Sequence, residues 1–220
     1  MAYRIIKRIL DIISSSLAII ILLVPWLIVF IIIKIQSPGP VLYKPERVGK
    51  DGCFVLYKFR TMIVDSGAIS VTTLRNDSRV FPFGAFLRRS KFDETPQLIN
   101  VLKGEMSIIG PRPEDKVNSE KLYKGKYEEI LSVKPGLSSP ASLYDYTHGE
   151  LFENENDYLK VFEPKKLALE LYYVRHRTLT YDVRIVAKTI ITIIQVMFGK
   201  KNFKEPNELH FLEEDNTDER

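Results

Sequence analysis

Asp93 and Glu94 are adjacent carboxylates in the stretch Ser90–Pro113, SKFDETPQLINVLKGEMSIIGPRP. Arg88, Arg89 and Lys91 precede them, and the rigid Gly110-Pro111-Arg112-Pro113 turn presents a further guanidinium. Such a concentration of cations is a complement for phosphate oxygens. A carboxylate in that company can be a divalent-metal ligand, with Mg2+ the ion that joins carboxylates to substrate phosphates, or it can be a nucleophile. Acids at a helix start are more often simple caps. Here neither acid has a lysine four residues further on with which to form a surface ion pair, which favours chemistry over capping. Other chemistries find no support. His148, His176 and His210 show no metal-ligand spacing and read as structural or surface residues. Cys53 is alone, so there is no disulfide framework and no cysteine metal site. No Ser-His-Asp set, P-loop or dinucleotide fingerprint is visible.

Several elements must position these groups. Thr95 as N-cap, Pro96 as first residue and Gly104 as stop predict a short helix over Pro96–Lys103, immediately after the acids. Phe54–Phe59 has strand composition, Ile63–Arg79 reads as loop, and Phe81–Leu87 as a short helical or extended piece. Helices are expected over Lys116–Leu131, Pro164–Arg177 and Tyr181–Phe198, and a strand over Ala141–Asp145. In the last helix Arg184, Lys188, Thr192 and Gln195 form a polar stripe on an otherwise apolar surface, which suits either a core helix or one lying in a membrane interface.

The 220 residues include Ile12–Ile33, IISSSLAIIILLVPWLIVFIII, without a charge. As a helix it would reach roughly 33 Å, the thickness of a hydrocarbon core. It is apolar all round and too long for a secretory signal, so it reads as a membrane segment. Cations flank it on both sides, Arg4, Lys7 and Arg8 before and Lys34, Lys44, Arg47 and Lys50 after, and Pro25 interrupts its middle. The positive-inside rule places both flanks in the cytoplasm, and a proline kink allows the chain to return to the face it entered. A single crossing fits the residues about as well. With 32 Lys+Arg against 28 Asp+Glu the chain is mildly basic, cationic at the front and acidic after Pro206, which suits an anionic surface or phosphate-bearing ligands. No nucleic-acid motif is present, and no nucleic-acid partner is expected.

The combination of Lys7-Arg8 with Asp11, Ser37-Pro38-Gly39-Pro40-Val41, Arg47-Val48-Gly49, Lys58-Phe59-Arg60-Thr61-Met62, Phe86-Leu87-Arg88, Asp93-Glu94 with Pro96-Gln97, Asn100-Val101-Leu102-Lys103-Gly104 and Gly110-Pro111-Arg112-Pro113 resembles the bacterial sugar transferases, the monotopic phosphoglycosyl transferases. The resemblance runs from Lys7 to about Phe198. It implies an α+β fold: a re-entrant, proline-broken N-terminal membrane helix (1–36), a small cytosolic catalytic domain with interfacial amphipathic helices (37–199), and an acidic tail (200–220). It implies transfer of a sugar-1-phosphate from a UDP-sugar to a polyprenol phosphate with Mg2+, releasing UMP, at the cytoplasmic face of the bacterial inner membrane. Capsule, O-antigen, exopolysaccharide or glycoprotein glycan assembly would follow, and a homodimer is compatible with it. By the resemblance Asp93 is the nucleophile and the metal-associated carboxylate, and Glu94 assists the second step. Arg88, Arg112, Lys58 and Arg60 would bind phosphate, and Lys7, Arg8 and Pro25 would serve the membrane and lipid headgroup. The alternative is a non-catalytic membrane scaffold for later enzymes. The chain departs from the family pattern at Val24-Pro25, where Ser-Pro is common, at Pro45, where Gln is common, and at Pro135–Ser142, PGLSSPAS, where Pro-Gly-Ile-Thr-Gly is usual. The last departure bears on which sugar is accepted.

Overall fold

A computed structural model describes residues 2–64, 78–149 and 158–209. The chain opens with helix α1, Ala2–Gln36, whose 35 residues include Pro25. At 1.5 Å per residue it is roughly 52 Å long. It is the helix among the described residues that is long and apolar enough to cross a membrane. Most of its apolar side chains have no protein partner: Ile20, Val24 and Leu27 are exposed, whereas Asp11, Ser15, Val29 and Ile33 are buried. Helix continues on both sides of Pro25, so the expected break appears as a proline within one helix.

Both ends of α1 touch the same domain. Near its start, Lys7 pairs with Asp182 at 2.8 Å and Tyr3 donates to the same carboxylate. Arg8 donates to the carbonyls of Val101 and Leu102, closing the end of a short helix. Asp11 accepts from Ser107 Oγ and from the Ile108 N–H. Beyond Pro25, Trp26 Nε1 donates to Thr95 Oγ1 at 2.9 Å, and Val29 and Ile33 enter a core with Val41, Phe59, Phe81 and Leu87. Burial of side chains of this size stabilises by about 1.5–3 kcal/mol each. Lys7 and Arg8, expected at lipid headgroups, are thus engaged by the protein.

Among the described residues the strands form three two-stranded ladders and no larger sheet. β1 (Leu42–Tyr43) pairs antiparallel with β4 (Lys58–Phe59), and β2 (Glu46–Gly49) forms a hairpin with β3 (Gly52–Val55). Helix α2 (Pro82–Arg89) leads to a 3-10 helix, Phe92–Gln97, and on to α3 (Leu98–Lys103), which Gly104 ends at φ +86°. β5 (Ser107–Ile109) runs parallel to β6 (Gly136–Ser138). Between them lie α4 (Lys116–Leu122) and a 3-10 segment, Gly125–Ser132. Helices α5 (Pro140–His148), α6 (Glu163–His176) and α7 (Leu179–Met197) complete the described chain. A second core joins β5, α5, α6 and α7 through Ile109, Leu143, Tyr173, Val174 and Ile185.

Several expectations need correction. Ala141–Asp145 is helix, not strand. Ser139 caps α5 by accepting from the Ser142 N–H, and Pro140 fills the first turn, where its missing N–H costs nothing. The single helix expected over Lys116–Leu131 is broken after Leu122, and Gly125 takes a positive φ. Thr95 is not an N-cap: its hydroxyl donates to the Phe92 carbonyl, and Asp93 and Glu94 lie inside a helical turn, not ahead of one. Residues 65–77 of the expected loop and 210–220 of the expected tail lie outside the described residues, as does His210. His148 packs against Tyr144 with the rings tilted and their centroids 4.7 Å apart, and its Nε2 lies 3.2 Å from the Phe203 carbonyl, a structural role.

Candidate active site

The turn from α2 into the 3-10 helix is made by Lys91 at φ +56°, the one non-glycine residue with positive φ among those described. That strained residue swings the chain so that Asp93 and Glu94 point into the domain, where Asp93 is 1% exposed and Glu94 8%. Two distant elements meet them. β4 supplies Lys58, whose Nζ lies 2.9 Å from Asp93 Oδ2 and 3.4 Å from Glu94 Oε1. The turn after β5 supplies Arg112, with Nη2 3.7 Å from Glu94 Oε1, and Lys91 Nζ lies 3.6 Å from the same oxygen.

The charge balance of this cluster favours an ionised Glu94. Burial alone would push the Glu94 carboxyl up, but Lys91, Lys58 and Arg112 outweigh it and hold it well below the usual carboxylate range. Burial would lower Lys58, yet Asp93 and Glu94 raise it above its ordinary value. Glu94 likewise keeps Arg112 firmly protonated. Glu94 is therefore fully engaged by cations. Asp93 is not: apart from the Lys58 ion pair, neither of its buried oxygens receives a hydrogen bond of normal geometry. A buried carboxylate with a lone pair to spare is costly to maintain, and it sets Asp93 apart from Glu94 in this cluster.

The structure brings Asp93, Glu94, Lys58 and Arg112 together as expected, and adds Lys91. Arg88 Nε donates to Thr61 Oγ1 at 2.8 Å. Arg60 is placed elsewhere: it is 7% exposed, and its guanidinium donates to the Ser37 hydroxyl and to the carbonyls of Ser37, Pro40 and Met62. It fastens the Ser37–Pro40 turn after α1 to β4, so its geometry is that of a backbone staple rather than a phosphate ligand. Arg89 donates to the Val196 and Met197 carbonyls at the end of α7.

Sequence reasoning missed Glu170. Its Oε1 accepts from the Arg112 N–H at 2.9 Å and from Ser139 Oγ at 3.0 Å, tying the GPRP turn to the start of α5. The signal was an acid beside the apolar stripe Leu167, Leu171 and Val174 of α6. Close approach completes the arrangement: a Cβ on Gly136 would lie 2.0 Å from the Gly110 nitrogen, so β5 and β6 meet here only as glycines. Burial pushes Glu170 up from 4.5 to about 7, with the Arg112 and Ser139 hydrogen bonds partly opposing. The folded chain thus keeps a proton that the unfolded chain releases, so stability is full below pH 4.5 and falls as pH rises towards 7. Glu170→Gln preserves the accepting oxygen and fixes the neutral state. It should stabilise the protein at pH 8 by about 3 kcal/mol, a gain that shrinks below ~1 kcal/mol at pH 5. Unfolding curves at the two pH values that show no such difference would refute a neutral buried Glu170.

Comparison with known proteins adds to this geometry. A sequence model described as bacterial sugar transferase matches residues 2–196. The UDP-glucose:undecaprenyl-phosphate glucose-1-phosphate transferase of Escherichia coli (strain K12) is 34% identical over 192 residues, covering 85% of this chain and 40% of that protein. The exopolysaccharide production protein PSS of Rhizobium leguminosarum bv. phaseoli is 35% identical over 204 residues, covering 86% of this chain and 94% of that protein. A putative undecaprenyl-phosphate N-acetylgalactosaminyl 1-phosphate transferase of Bacillus subtilis (strain 168) is 51% identical over 124 residues, 54% of this chain and 68% of that protein. Relative to the Escherichia coli protein and two other sugar-phosphate transferases, the chain spans only 33–44% of the relative's length.

Proposed function

The chain belongs to the bacterial sugar transferase family, and on that premise we propose that it transfers a sugar-1-phosphate from a UDP-sugar to undecaprenyl phosphate, releasing UMP, as the first membrane step of glycoconjugate assembly. The observation that carries this reading is Asp93: a buried carboxylate ion-paired to Lys58, with Oδ1 left without a hydrogen bond, beside a Glu94 that is held by Lys58, Lys91 and Arg112. An Asp93 oxygen attacks the β-phosphorus, and the bond from that phosphorus to the oxygen bridging the two phosphates breaks. UMP leaves with the bridging oxygen, and the sugar phosphate remains as an acyl phosphate on Asp93. A phosphate oxygen of the acceptor then attacks the same phosphorus, the bond to Asp93 breaks, and the polyprenol diphosphate sugar departs. Lys58 and Arg112 offset the charge of the two phosphates, and Glu94, kept ionised, holds both cations in place.

Mg2+ fits the residues present. Asp93 offers a hard oxygen donor, Oδ1, without a hydrogen bond, while Oδ2 faces Lys58, and the described residues contain no cluster of three or more His, Cys, Asp or Glu that would form a closed metal cage. Asp93 would hold the ion with the substrate phosphates and water completing its shell, and the ion would supply charge neutralisation on the diphosphate.

The same reading places both ends of α1 on the cytoplasmic face. Lys7, Arg8 and Asp11 grip the domain at one end and Trp26 and Ile33 at the other. A helix held by one domain at both ends does not straddle a hydrocarbon core of ~30 Å. The exposed apolar residues between, and those of α7 such as Val183, Ile190 and Ile194, are then met by lipid. A cysteine at Ala2 in a Cys53→Ser background is expected to resist a membrane-impermeant maleimide in intact cells and to react after permeabilisation. Labelling of intact cells would show that α1 spans.

The activity itself is tested by incubating the protein with a panel of UDP-sugars, Mg2+ and undecaprenyl phosphate and identifying the nucleotide released. UMP is expected. UDP would indicate direct glycosyl transfer, and release of neither would indicate a scaffold.

A further inference from the structure

Helix α5 is drawn to the active site at both ends. Its cap, Ser139, donates to Glu170, the acid that holds the Arg112 N–H. Towards its other end Tyr146 donates to the Arg89 carbonyl, and its ring lies 4.9 Å from Lys91 Nζ, the ammonium that faces Glu94. Asp145 sits between these contacts. Tyr158 donates to its Oδ1 at 3.1 Å, and Lys166 donates in turn to the Tyr158 hydroxyl at 3.1 Å. Lys166 is a loose ion partner, 4.0 Å from Asp145 and closer, at 3.6 Å, to Glu163. No hydrogen bond from the described residues reaches Asp145 Oδ2, and the side chain is 24% exposed. Burial opposes its ionisation, but Lys166, Arg112 and Lys91 outweigh that and hold the carboxyl below its ordinary value. Of the acids acting on Arg112, only Glu94 acts more strongly than Asp145.

We propose that Asp145 selects the donor sugar, with Oδ2 accepting a hydrogen bond from a hydroxyl of the sugar carried on the β-phosphate. The proposal rests on the transfer reaction given above. An ionised carboxylate accepts hydrogen bonds and donates none, and it repels a diphosphate. The neutral hydroxyls of the donor are the groups that it can take. A UDP-sugar carries them on the transferred sugar and on the ribose. The sugar is joined to the attacked phosphorus through one oxygen, whereas the ribose lies beyond the second phosphate. A carboxylate that shares Arg112 with Glu94, the neighbour of Asp93, therefore meets the sugar first. The Tyr158 bond fixes Oδ1, so Oδ2 is presented in one orientation, which is what discrimination between hydroxyl positions requires.

The test uses the full chain in nanodiscs with Mg2+, undecaprenyl phosphate and the UDP-sugar that it turns over fastest, followed by analogues of that donor lacking one sugar hydroxyl at a time. With one of the analogues the parent is expected to lose about tenfold or more in kcat/KM, because an acceptor placed for that hydroxyl is left unpaired. In Asp145→Ala this one penalty should largely vanish while the penalties of the other analogues remain. Asp145→Asn keeps the shape and an accepting oxygen, so it should retain part of the penalty, and it carries the comparison where the alanine variant does not fold. Inhibition by UMP should be no weaker in either variant. The same penalty in the parent and in both variants overturns the proposal and leaves Asp145 as a charge partner of Arg112. Weaker inhibition by UMP with the sugar penalties unchanged overturns it too, and moves Asp145 to the ribose. If the parent releases no UMP from any UDP-sugar, the transfer reaction itself falls, and the proposal with it.

Discussion

Asp93→Asn is expected to abolish UMP release even when no lipid is supplied, by on the order of 10⁴-fold or more, as for removal of other covalent nucleophiles. Asparagine has nearly the shape of aspartate but no anionic oxygen, so the first bond to phosphorus cannot form. The fold should survive. Asparagine keeps an oxygen for Lys58 to donate to in place of the 2.9 Å ion pair, and Lys58 retains Glu94 at 3.4 Å as its charged partner. A melting curve close to the parent's would confirm this. Intact mass spectrometry after mixing with a UDP-sugar should show the phosphosugar adduct on the parent and none on the variant. An adduct on Asp93→Asn would move the nucleophile elsewhere, with Glu94 the first alternative.

Arg112→Lys should lower turnover by about 10²–10³-fold, the scale of losing one positioned donor at a developing phosphate charge. The side chain changes while its support does not: the Arg112 N–H is held by Glu170, and its carbonyl accepts from the Tyr123 hydroxyl. Lysine is therefore delivered to the same place with a single ammonium, where a planar fork had been available to two phosphate oxygens. Because the turn is held through its backbone, stability should change little while kcat falls. Turnover near the parent's would mean that a point charge suffices and that Arg112 serves only to pair with Glu94.

The acid pair and its cationic surroundings were legible because they lie close together in sequence. Lys91, Asp93 and Glu94 share one turn, and the GPRP motif announces a rigid presentation of Arg112. Lys58 could be placed only through the motif, since its approach depends on the pairing of Tyr43 with Lys58 in a ladder two residues long, too short to leave a periodic signal. The misread helix start shows a competition between local preferences. Thr95 had the right type for a cap, but its hydroxyl is used by Phe92 and Trp26, a tertiary contact from 69 residues away. Conversely, the helix α5 was announced by Ser139-Pro140, a cap and first-turn pair that the apolar run after it obscured. The roles of Arg60, Lys7 and Arg8 show why a cation near a phosphate motif is ambiguous. Each is held by carbonyls or a carboxylate whose position only the folded chain determines. Asp11, Glu170 and Asp182 are buried acids of the same kind, single carboxylates that join elements far apart in sequence.

The grip of α1 on the domain has a consequence for modularity. Asp11 satisfies the Ile108 N–H, and Arg8 satisfies the carbonyls that end α3, the helix directly continuous with the catalytic turn. An unrelated hydrophobic segment fused in place of α1 could hold the domain against a bilayer, yet it would leave those groups without partners in the interior. Helix α1 is thus not a replaceable segment. It and the turn that carries Asp93 and Glu94 lean on the same groups, and a change of α1 is also a change in the support of the candidate site.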